Sequence, residues 1–343
     1  MKKILALVLV AVLSLTMATA FADGFKVASH NAVIEGNPYR TVYENQITEA
    51  VEIAKEAGLI GEYNSFVANM DPALETTQIE NSINEGYDII LVNPIAATGL
   101  DAVIAQAVSA DITYVNTDCI YPSDHILNVV VDQDAWAKKA SDFVIETLGE
   151  GGKVVHFKGI DGNSASEIRA ARWINDLDAA GIEIVKSVAH GWSDPEAKQL
   201  MSEILASGIE FDGVINEESA NGIMDAFEEN KVGYPGVITS SEEVSWIRRI
   251  ADINKDELVC PFIVVENPPG IGATALAIAL NIAEGKELDT TKLTNGNVAY
   301  YEPQWVMTYD NMDEKLASIA DLPDSTSVSS FLTYEQAQAT YFK

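Results

Sequence analysis

Several groups of residues have the types that phosphate, zinc or calcium binding requires, but none has the complete spacing. Residues 149–153 (GEGGK) precede an apolar strand, whereas a phosphate loop follows a strand and continues with Lys-Ser/Thr into a helix. The four histidines show no His-Glu-x-x-His pairing typical of zinc sites. Asp252, Asn254 and Asp256 begin like a calcium loop, but Glu257 stands where glycine is needed. The sequence therefore predicts no metal and no cofactor.

Catalytic motifs are also incomplete. No Gly-x-Gly-x-x-Gly follows the first apolar strand, and no Gly-x-Ser-x-Gly nucleophile turn is present. Adjacent carboxylates occur at Glu217-Glu218 and Glu242-Glu243, but a chain so rich in acidic residues contains many such pairs by chance. We interpret most of them as a solvated acidic face, and we predict that the protein is not an enzyme.

Composition limits the partners. The chain has 343 residues, of which 21 are Lys or Arg and 52 are Asp or Glu, giving a net charge of −31. A surface of this sign repels nucleic-acid backbones and anionic headgroups. The length suits one large or two medium domains.

The first 22 residues have the organisation of a secretory signal peptide. Lys2 and Lys3 precede an apolar stretch, and Ala20-Phe21-Ala22 supplies the small-x-small cleavage pattern. We therefore predict a periplasmic or extracellular protein that is not inserted in the membrane after cleavage. Export permits a disulfide between Cys119 and Cys260, but their spacing also fits two free thiols.

Short apolar segments alternate with longer segments of helical period along the chain. The predicted strands are 25–28, 87–92, 112–115, 129–131, 153–157, 182–188, 213–216, 236–239 and part of 296–307. The predicted helices are 45–58, 100–110, 166–180, 195–207 and 220–229. This order occurs twice, so the expected fold class is α/β, with two doubly wound parallel-sheet lobes. Ligands of such sheets bind beyond the carboxyl ends of the strands.

Five motifs in order resemble the periplasmic sugar-binding proteins of ABC importers, in the ribose/galactose branch with the type I fold. The motifs are residues 37–39 (NPY), 92–94 (VNP), 159–165 (GIDGNSA) followed by Arg169, 220–223 (ANGI) and 268–272 (PPGIG). The resemblance holds in order from about residue 25 to residue 309.

The resemblance implies two lobes joined by three crossovers near Val130, Glu266 and Val298, with a sugar bound between the lobes and closure by hinge bending. The expected domains are a signal peptide (1–22), an N-terminal lobe (23–130 plus 267–298), a C-terminal lobe (131–266 plus 299–310) and an extension (311–343). The resemblance also implies a monomer without catalytic activity that delivers its ligand to an ABC permease. Alternative ligands are a nucleoside, a furanose signal or a cationic solute, and a secreted carbohydrate-active enzyme is a further alternative.

The ligand-binding residues expected from the resemblance suit a sugar, which needs planar polar groups for its hydroxyls and an aromatic ring for its apolar face. Arg169 is expected to donate to sugar oxygens; the alternative is a surface ion pair with Glu167 or Asp176. Trp192 is expected to stack on the ring. The other expected residues are Asn37, Tyr39, Arg40, Asn116 and Asp118 in the first lobe, and Asn216, Glu217 and Glu266 in the second.

Departures from the ribose-binding pattern make ribose itself doubtful as the ligand. Thr239-Ser240-Ser241 replaces an expected aspartate, and Arg40 replaces an aromatic residue of the first loop. Glu217 and Glu266 are therefore interpreted either as hydroxyl acceptors or as groups that neutralise a cationic ligand.

Overall fold

A computed structural model of the chain describes residues 24–35 and 38–343. The predicted signal peptide and Asn37 lie outside the described residues. The chain forms two compact units. Unit 1 contains the chain up to Val130 together with Pro269–Tyr300 and Phe331–Lys343, and unit 2 contains Val131–Pro268 and Tyr301–Ser330.

The described residues form twelve strands and eleven α-helices, numbered in chain order. The strands are β1 (Phe25–Asn31), β2 (Ile60–Val67), β3 (Ile89–Asn93), β4 (Thr113–Thr117), β5 (Leu127–Val131), β6 (Lys153–Lys158), β7 (Glu183–Ala189), β8 (Gly213–Asn216), β9 (Ile238–Ser240), β10 (Phe262–Val265), β11 (Val298–Tyr301) and β12 (Val306–Met307). The helices are α1 (Pro38–Glu56), α2 (Pro72–Asn84), α3 (Asp101–Ser109), α4 (Gln133–Leu148), α5 (Ser164–Ala179), α6 (Asp194–Ser207), α7 (Ala220–Asn230), α8 (Val244–Ile253), α9 (Ile271–Ala283), α10 (Met312–Ser318) and α11 (Tyr334–Tyr341).

Each unit is built on one six-stranded sheet, and the two sheets have the same order. The sheet of unit 1 runs β2-β1-β3-β4-β5-β11, and the sheet of unit 2 runs β7-β6-β8-β9-β10-β12. The first five strands of each are parallel, and β12 is antiparallel to β10. The strand order reverses between β1 and β3 and between β6 and β8, which is where doubly wound sheets bind ligands. The predicted α/β fold class is confirmed.

Burial explains which strands the sequence identifies. Every residue of β3 and β5 is buried, as expected for strands covered by helices on both faces. In the edge strand β2 (IGEYNSFV), buried, half-buried and exposed residues are mixed, so the strand lacks a continuous apolar run. This strand is absent from the sequence prediction for that reason.

Helix α9 forms the centre of unit 1. All but its last two residues are buried, and it packs against α1, β4 and α11. A methyl group on Gly272 would overlap the side chains of Tyr43 and Ile47 in α1. A glycine at this position therefore permits the close approach of the two helices.

The C-terminal segment differs from the expected extension, because residues 311–343 are divided between the units. In unit 2, the Val328 N–H donates to the carbonyl of Glu242 at 2.9 Å. In unit 1, the Leu332 N–H donates to Thr274 Oγ1 at 3.0 Å, and α11 packs on α9. The chain thus passes between the units after residues 130, 268, 300 and 330, one passage more than the resemblance implies.

Cys119 is half-buried in unit 1 and Cys260 is buried in unit 2, and both are free thiols. The spacing leaves open a disulfide or two free thiols, and the structure has two free thiols.

Within residues 24–35 and 38–343, no helix has the length and apolar character needed to cross a membrane.

Candidate functional site

Arg169 is the buried cation at the strand ends of unit 2, with 1% of its side chain exposed. Its Nε donates to Gln133 Oε1 at 2.7 Å, and its Nη1 lies 3.4 Å from Glu217 Oε2 and 3.6 Å from Glu218 Oε1. The guanidinium carbon lies 4.1 Å from the centre of the Trp136 ring. This geometry combines two ion pairs with a cation–π contact.

The start of α5 places Arg169 in this position. The side-chain oxygen of Asn163 accepts from the backbone N–H groups of Ala165 at 2.9 Å and Ser166 at 3.4 Å, which caps the helix. Ser166 and Arg169 are three residues apart, so they share one face of α5. The expected alternative of a surface ion pair is wrong, because Arg169 is buried and Asp176 pairs with Arg172 at 2.8 Å.

Glu217 is the shared acceptor of the cluster. It follows β8 directly and is completely buried. Its Oε1 accepts from Ser166 Oγ at 2.7 Å, and its Oε2 accepts from Trp192 Nε1 at 3.1 Å and faces Arg169. Three of the predicted site residues, Arg169, Trp192 and Glu217, are therefore in direct contact.

The backbone around Trp192 holds its indole against Glu217. Trp192 has a φ of 55°, in the left-handed region, and its backbone N–H donates to His190 Nδ1 at 2.9 Å. A methyl group on Gly159 would overlap the indole ring, so the absence of a side chain at Gly159 leaves room for it. The indole is thus fixed by its own hydrogen bonds and by the neighbouring strand end.

Asn216 lies at the end of β8 with no exposed surface. Because His190 Nδ1 accepts the Trp192 N–H, Nε2 carries the ring proton and donates to Asn216 Oδ1 at 3.1 Å. Burial lowers the pKa of His190, in agreement with a neutral ring. Asn216 Nδ2 is left as a buried donor with no partner in the part of the chain that the structure describes.

Glu218 and Glu242 interact with Arg169, and Glu243 interacts with Glu218. Burial raises the pKa of Glu218 to about 7, against the lowering effect of Arg169 and with a further increase from Glu217. Burial, reinforced by Glu218, raises the pKa of Glu242 well above its usual value, although Glu242 Oε2 accepts from the Asn267 N–H at 2.7 Å. Burial also raises the pKa of Glu243 to about 7. Glu217 and Glu242 are buried, so their interpretation as a solvated acidic face is wrong.

These shifts predict a pH-dependent stability. A carboxyl group whose pKa is higher in the folded than in the unfolded chain binds its proton more tightly when folded, so stability is lost as the pH rises from about 4.5 to about 7. We expect the melting temperature of residues 23–343 to fall between pH 5.5 and 8, and Glu218→Gln to reduce this fall. The matched control is Glu183→Gln, an exposed carboxylate on β7. A pH dependence equal in both variants would contradict the assignment to Glu218.

Glu266 follows β10 and is also completely buried. Its Oε1 accepts from the N–H groups of Gln304 and Trp305 and from Ser330 Oγ, each at 2.7 Å, whereas Oε2 has no partner in the protein. Burial raises its pKa despite these donors. These hydrogen bonds connect Glu266 to Gln304 and Trp305, which follow β11, and to Ser330, the last residue of unit 2. The contact of Glu266 with a ligand stays a prediction.

In unit 1, three predicted residues lie together. Tyr39 Oη donates to Asp118 Oδ1 at 3.0 Å, and Arg40 Nη2 lies 3.8 Å from Asp118 Oδ2. Arg40 Nη1 also donates to the carbonyl of Asn93 at 3.4 Å. The first turn of α1 and the loop after β4 thus meet at the carboxyl edge of this sheet.

Buried amides line the same edge of unit 1. Asn116 Nδ2 donates to Asn128 Oδ1 at 3.0 Å and to the carbonyl of Cys119, and its Oδ1 has no partner. Asn93, at the end of β3, is 1% exposed, and neither of its side-chain polar atoms has a partner among the described residues. Unpaired buried amides are costly, so these atoms are candidates for ligand contacts.

Sequence reasoning did not select several residues of the two clusters. In unit 2 these are Gln133, Trp136, Ser166, Glu218 and Glu242, and in unit 1 they are Asn93 and Asn128. Asn93 had a usable signal, because it ends a continuous apolar strand in front of a proline. Among residues 24–35 and 38–343, no group of three or more His, Cys, Asp and Glu side chains is arranged to hold a metal ion.

The model of the periplasmic binding protein domain matches residues 33–287. The chain belongs to the periplasmic binding protein family. The expected resemblance is therefore confirmed, and the match extends from the segment after β1 to the segment after α9.

Individual members of the periplasmic binding protein family are similar over most of their length. The ribose import binding protein of Haemophilus influenzae is 23% identical over 297 residues, which covers 84% of this chain and 96% of the relative. An ABC transporter solute-binding protein of Thermobispora bispora has a TM-score of 0.73 at 22% identity, covering 92% of this chain and 94% of that one. A Bacillus halodurans solute-binding protein with bound myo-inositol has a TM-score of 0.67 at 19% identity, covering 86% and 98%. The structural likeness confirms the type I fold.

Proposed function

We propose that this protein is the solute-binding component of an ABC importer, which captures a monosaccharide or a similar polyol and delivers it to the membrane permease. The observation that carries the proposal is the contact of Arg169 and Trp192 with Glu217 at the carboxyl ends of β6, β7 and β8. A guanidinium, a carboxylate and an indole provide the donors, acceptors and flat apolar face that a hydroxylated ring requires.

Unit 1 supports the same ligand class. The unpaired amide atoms of Asn93 offer both a donor and an acceptor, and a sugar hydroxyl can serve as the partner of either. Tyr39, Arg40 and Asp118 add an aromatic ring and a charged pair at the same sheet edge. Asn37 lies outside the described residues, so its contact with the ligand stays a prediction.

The remaining properties of the protein follow from the proposed role. We propose that it acts outside the cytoplasm as a monomer, and that it returns its ligand chemically unchanged. The family membership and the predicted signal peptide support the location. The net charge of −31 disfavours nucleic acid as a partner.

Thermal melting of residues 23–343 against pentoses, hexoses, polyols, nucleosides and polyamines tests the proposal. A ligand present at 100 times its dissociation constant stabilises the folded state by about 2.7 kcal/mol. For a unit of this size, the melting temperature should rise by roughly 5–10 °C. A shift with a sugar or polyol supports the proposal. Shifts confined to nucleosides or polyamines, or no shift with any compound, would overturn it.

A further inference from the structure

The strand ends of unit 2 carry more negative charge than their single buried cation offsets. Glu217, Glu218 and Glu242 lie around Arg169. Burial, with smaller contributions from Asp194 and Glu218, raises the pKa of the neighbouring Glu243. The inference drawn below concerns the ligand of this site and rests on the proposed function.

Several protein groups already contact Arg169. Nε donates to Gln133, the guanidinium stacks on Trp136, and Nη1 faces Glu217. Both members of the Arg169–Glu217 pair are almost completely buried, with side-chain exposures of 1% and 0%. One positive charge is therefore shared between Glu217, at 3.4 Å, and Glu218, at 3.6 Å, and it cannot balance both of them and Glu242.

Glu218 is the member of the cluster that a ligand can reach. A quarter of its side chain is exposed, whereas Glu217 has no exposed surface. The charged groups that act on Glu218 and Glu242 among the described residues are Arg169 and the other glutamates of the cluster. Lys158 ends β6 at the same edge of the sheet. Its Nζ pairs with Asp161 Oδ1 at 2.5 Å.

A second observation, independent of charge, indicates that a ligand belongs here. Asn216 Nδ2 is a buried donor without a partner, and the neutral tautomer of His190 fixes its orientation. Asn216 and Glu217 are neighbours at the end of β8, and Trp192 connects them through His190 and its own indole N–H. A ligand oxygen would satisfy this amide, whereas a purely cationic ligand would not.

We infer that the ligand is an amino-substituted polyol, whose hydroxyls meet the amides and whose ammonium group meets Glu218. An ammonium group carries three donors and a positive charge, and it offsets the cost of ionised carboxylates that are removed from water. A neutral sugar provides the hydroxyls but no positive charge for Glu218, which shares Arg169 with Glu217. The two ligand classes differ in one group, because an ammonium replaces a hydroxyl at one ring position.

Matched ligand pairs test this inference on the intact mature chain. Calorimetry at pH 7 compares glucosamine with glucose, galactosamine with galactose, and an amino-deoxyinositol with myo-inositol. We expect the amino member of at least one pair to bind at least tenfold more tightly than its hydroxyl counterpart. Tighter or equal binding of the neutral member in every pair that binds would overturn the inference and leave the proposed function intact.

The variant Glu218→Gln tests whether Glu218 causes the tighter binding of the amino ligand. It should reduce the amino-to-hydroxyl affinity ratio to below threefold, whereas Glu183→Gln on the exposed face of β7 should leave the ratio unchanged. A ratio that Glu218→Gln does not alter would overturn the assignment. Because the wild-type comparison needs no variant, poor folding of Glu218→Gln does not prevent a decision. Absence of binding by both members of every pair, together with no melting shift from any sugar or polyol, would instead overturn the proposed function.

Discussion

Replacement of Arg169 by methionine is expected to lower the stability of unit 2 and to weaken ligand binding more than tenfold. Methionine retains part of the packing on Trp136 but leaves Glu217 completely buried without its cation. Removing one partner of a buried ion pair typically costs about 3–5 kcal/mol. At roughly 2–4 °C per kcal/mol, the melting temperature should fall by about 10 °C.

A double-mutant cycle separates the charge from the packing. Glu217→Gln in the Arg169→Met background removes the uncompensated carboxylate, so it should recover more than half of the lost stability. The ligand affinity should stay low, because the guanidinium is absent in both variants. Arg172→Met is the control, since Arg172 pairs with Asp134 and Asp176 on the outer face of α5. If Arg169→Met changed neither the melting temperature nor the ligand affinity, the assignment of Arg169 to the ligand site would be wrong.

Replacement of Gly159 by alanine is expected to displace the Trp192 indole and to weaken ligand binding more than tenfold. The added methyl group would occupy the space of the ring, and the hydrogen bond from Trp192 Nε1 to Glu217 would be lost. Trp192 lies on a loop, so the indole can move. The free energy of unfolding should therefore fall by about 1–3 kcal/mol, as is typical of overpacking. Calorimetry gives the affinity, and tryptophan emission reports the displaced ring.

Gly233→Ala is the matched control for Gly159→Ala. A methyl group on Gly233, in the segment after α7, meets no atom within 4 Å. This variant should bind ligand as the wild type does. Wild-type affinity in Gly159→Ala, despite a changed tryptophan emission, would show that Trp192 does not contact the ligand.

The contacts of Arg169, Trp192 and Glu217 show why part of the site is predictable. The three residues follow neighbouring parallel strands, and the topology of a doubly wound sheet brings the carboxyl ends of such strands to one edge. The family resemblance selected these residues, and the sheet topology explains why they meet. The same reasoning brings Tyr39, Arg40 and Asp118 together in unit 1.

The roles of Glu218 and Glu242 are not predictable in this way. An acidic pair in an acidic chain carries no sign of its burial, and burial of Glu242 depends on the C-terminal segment that pairs with its backbone. The path of that segment has no local signal either, because residues 319–333 lack a periodic apolar pattern. Gln133 was missed because helix α4, which it begins, was not predicted.

The most direct test of the account is calorimetric titration of residues 23–343 with the compound that gives the largest melting shift, followed by recovery and mass analysis of that compound. The account predicts saturable binding of one molecule per chain, abolished or strongly weakened by Arg169→Met, and quantitative recovery of the unchanged ligand. Conversion of the compound to a product would contradict the assignment as a binding protein. Equal affinity in Arg169→Met would place the ligand away from the strand ends of unit 2.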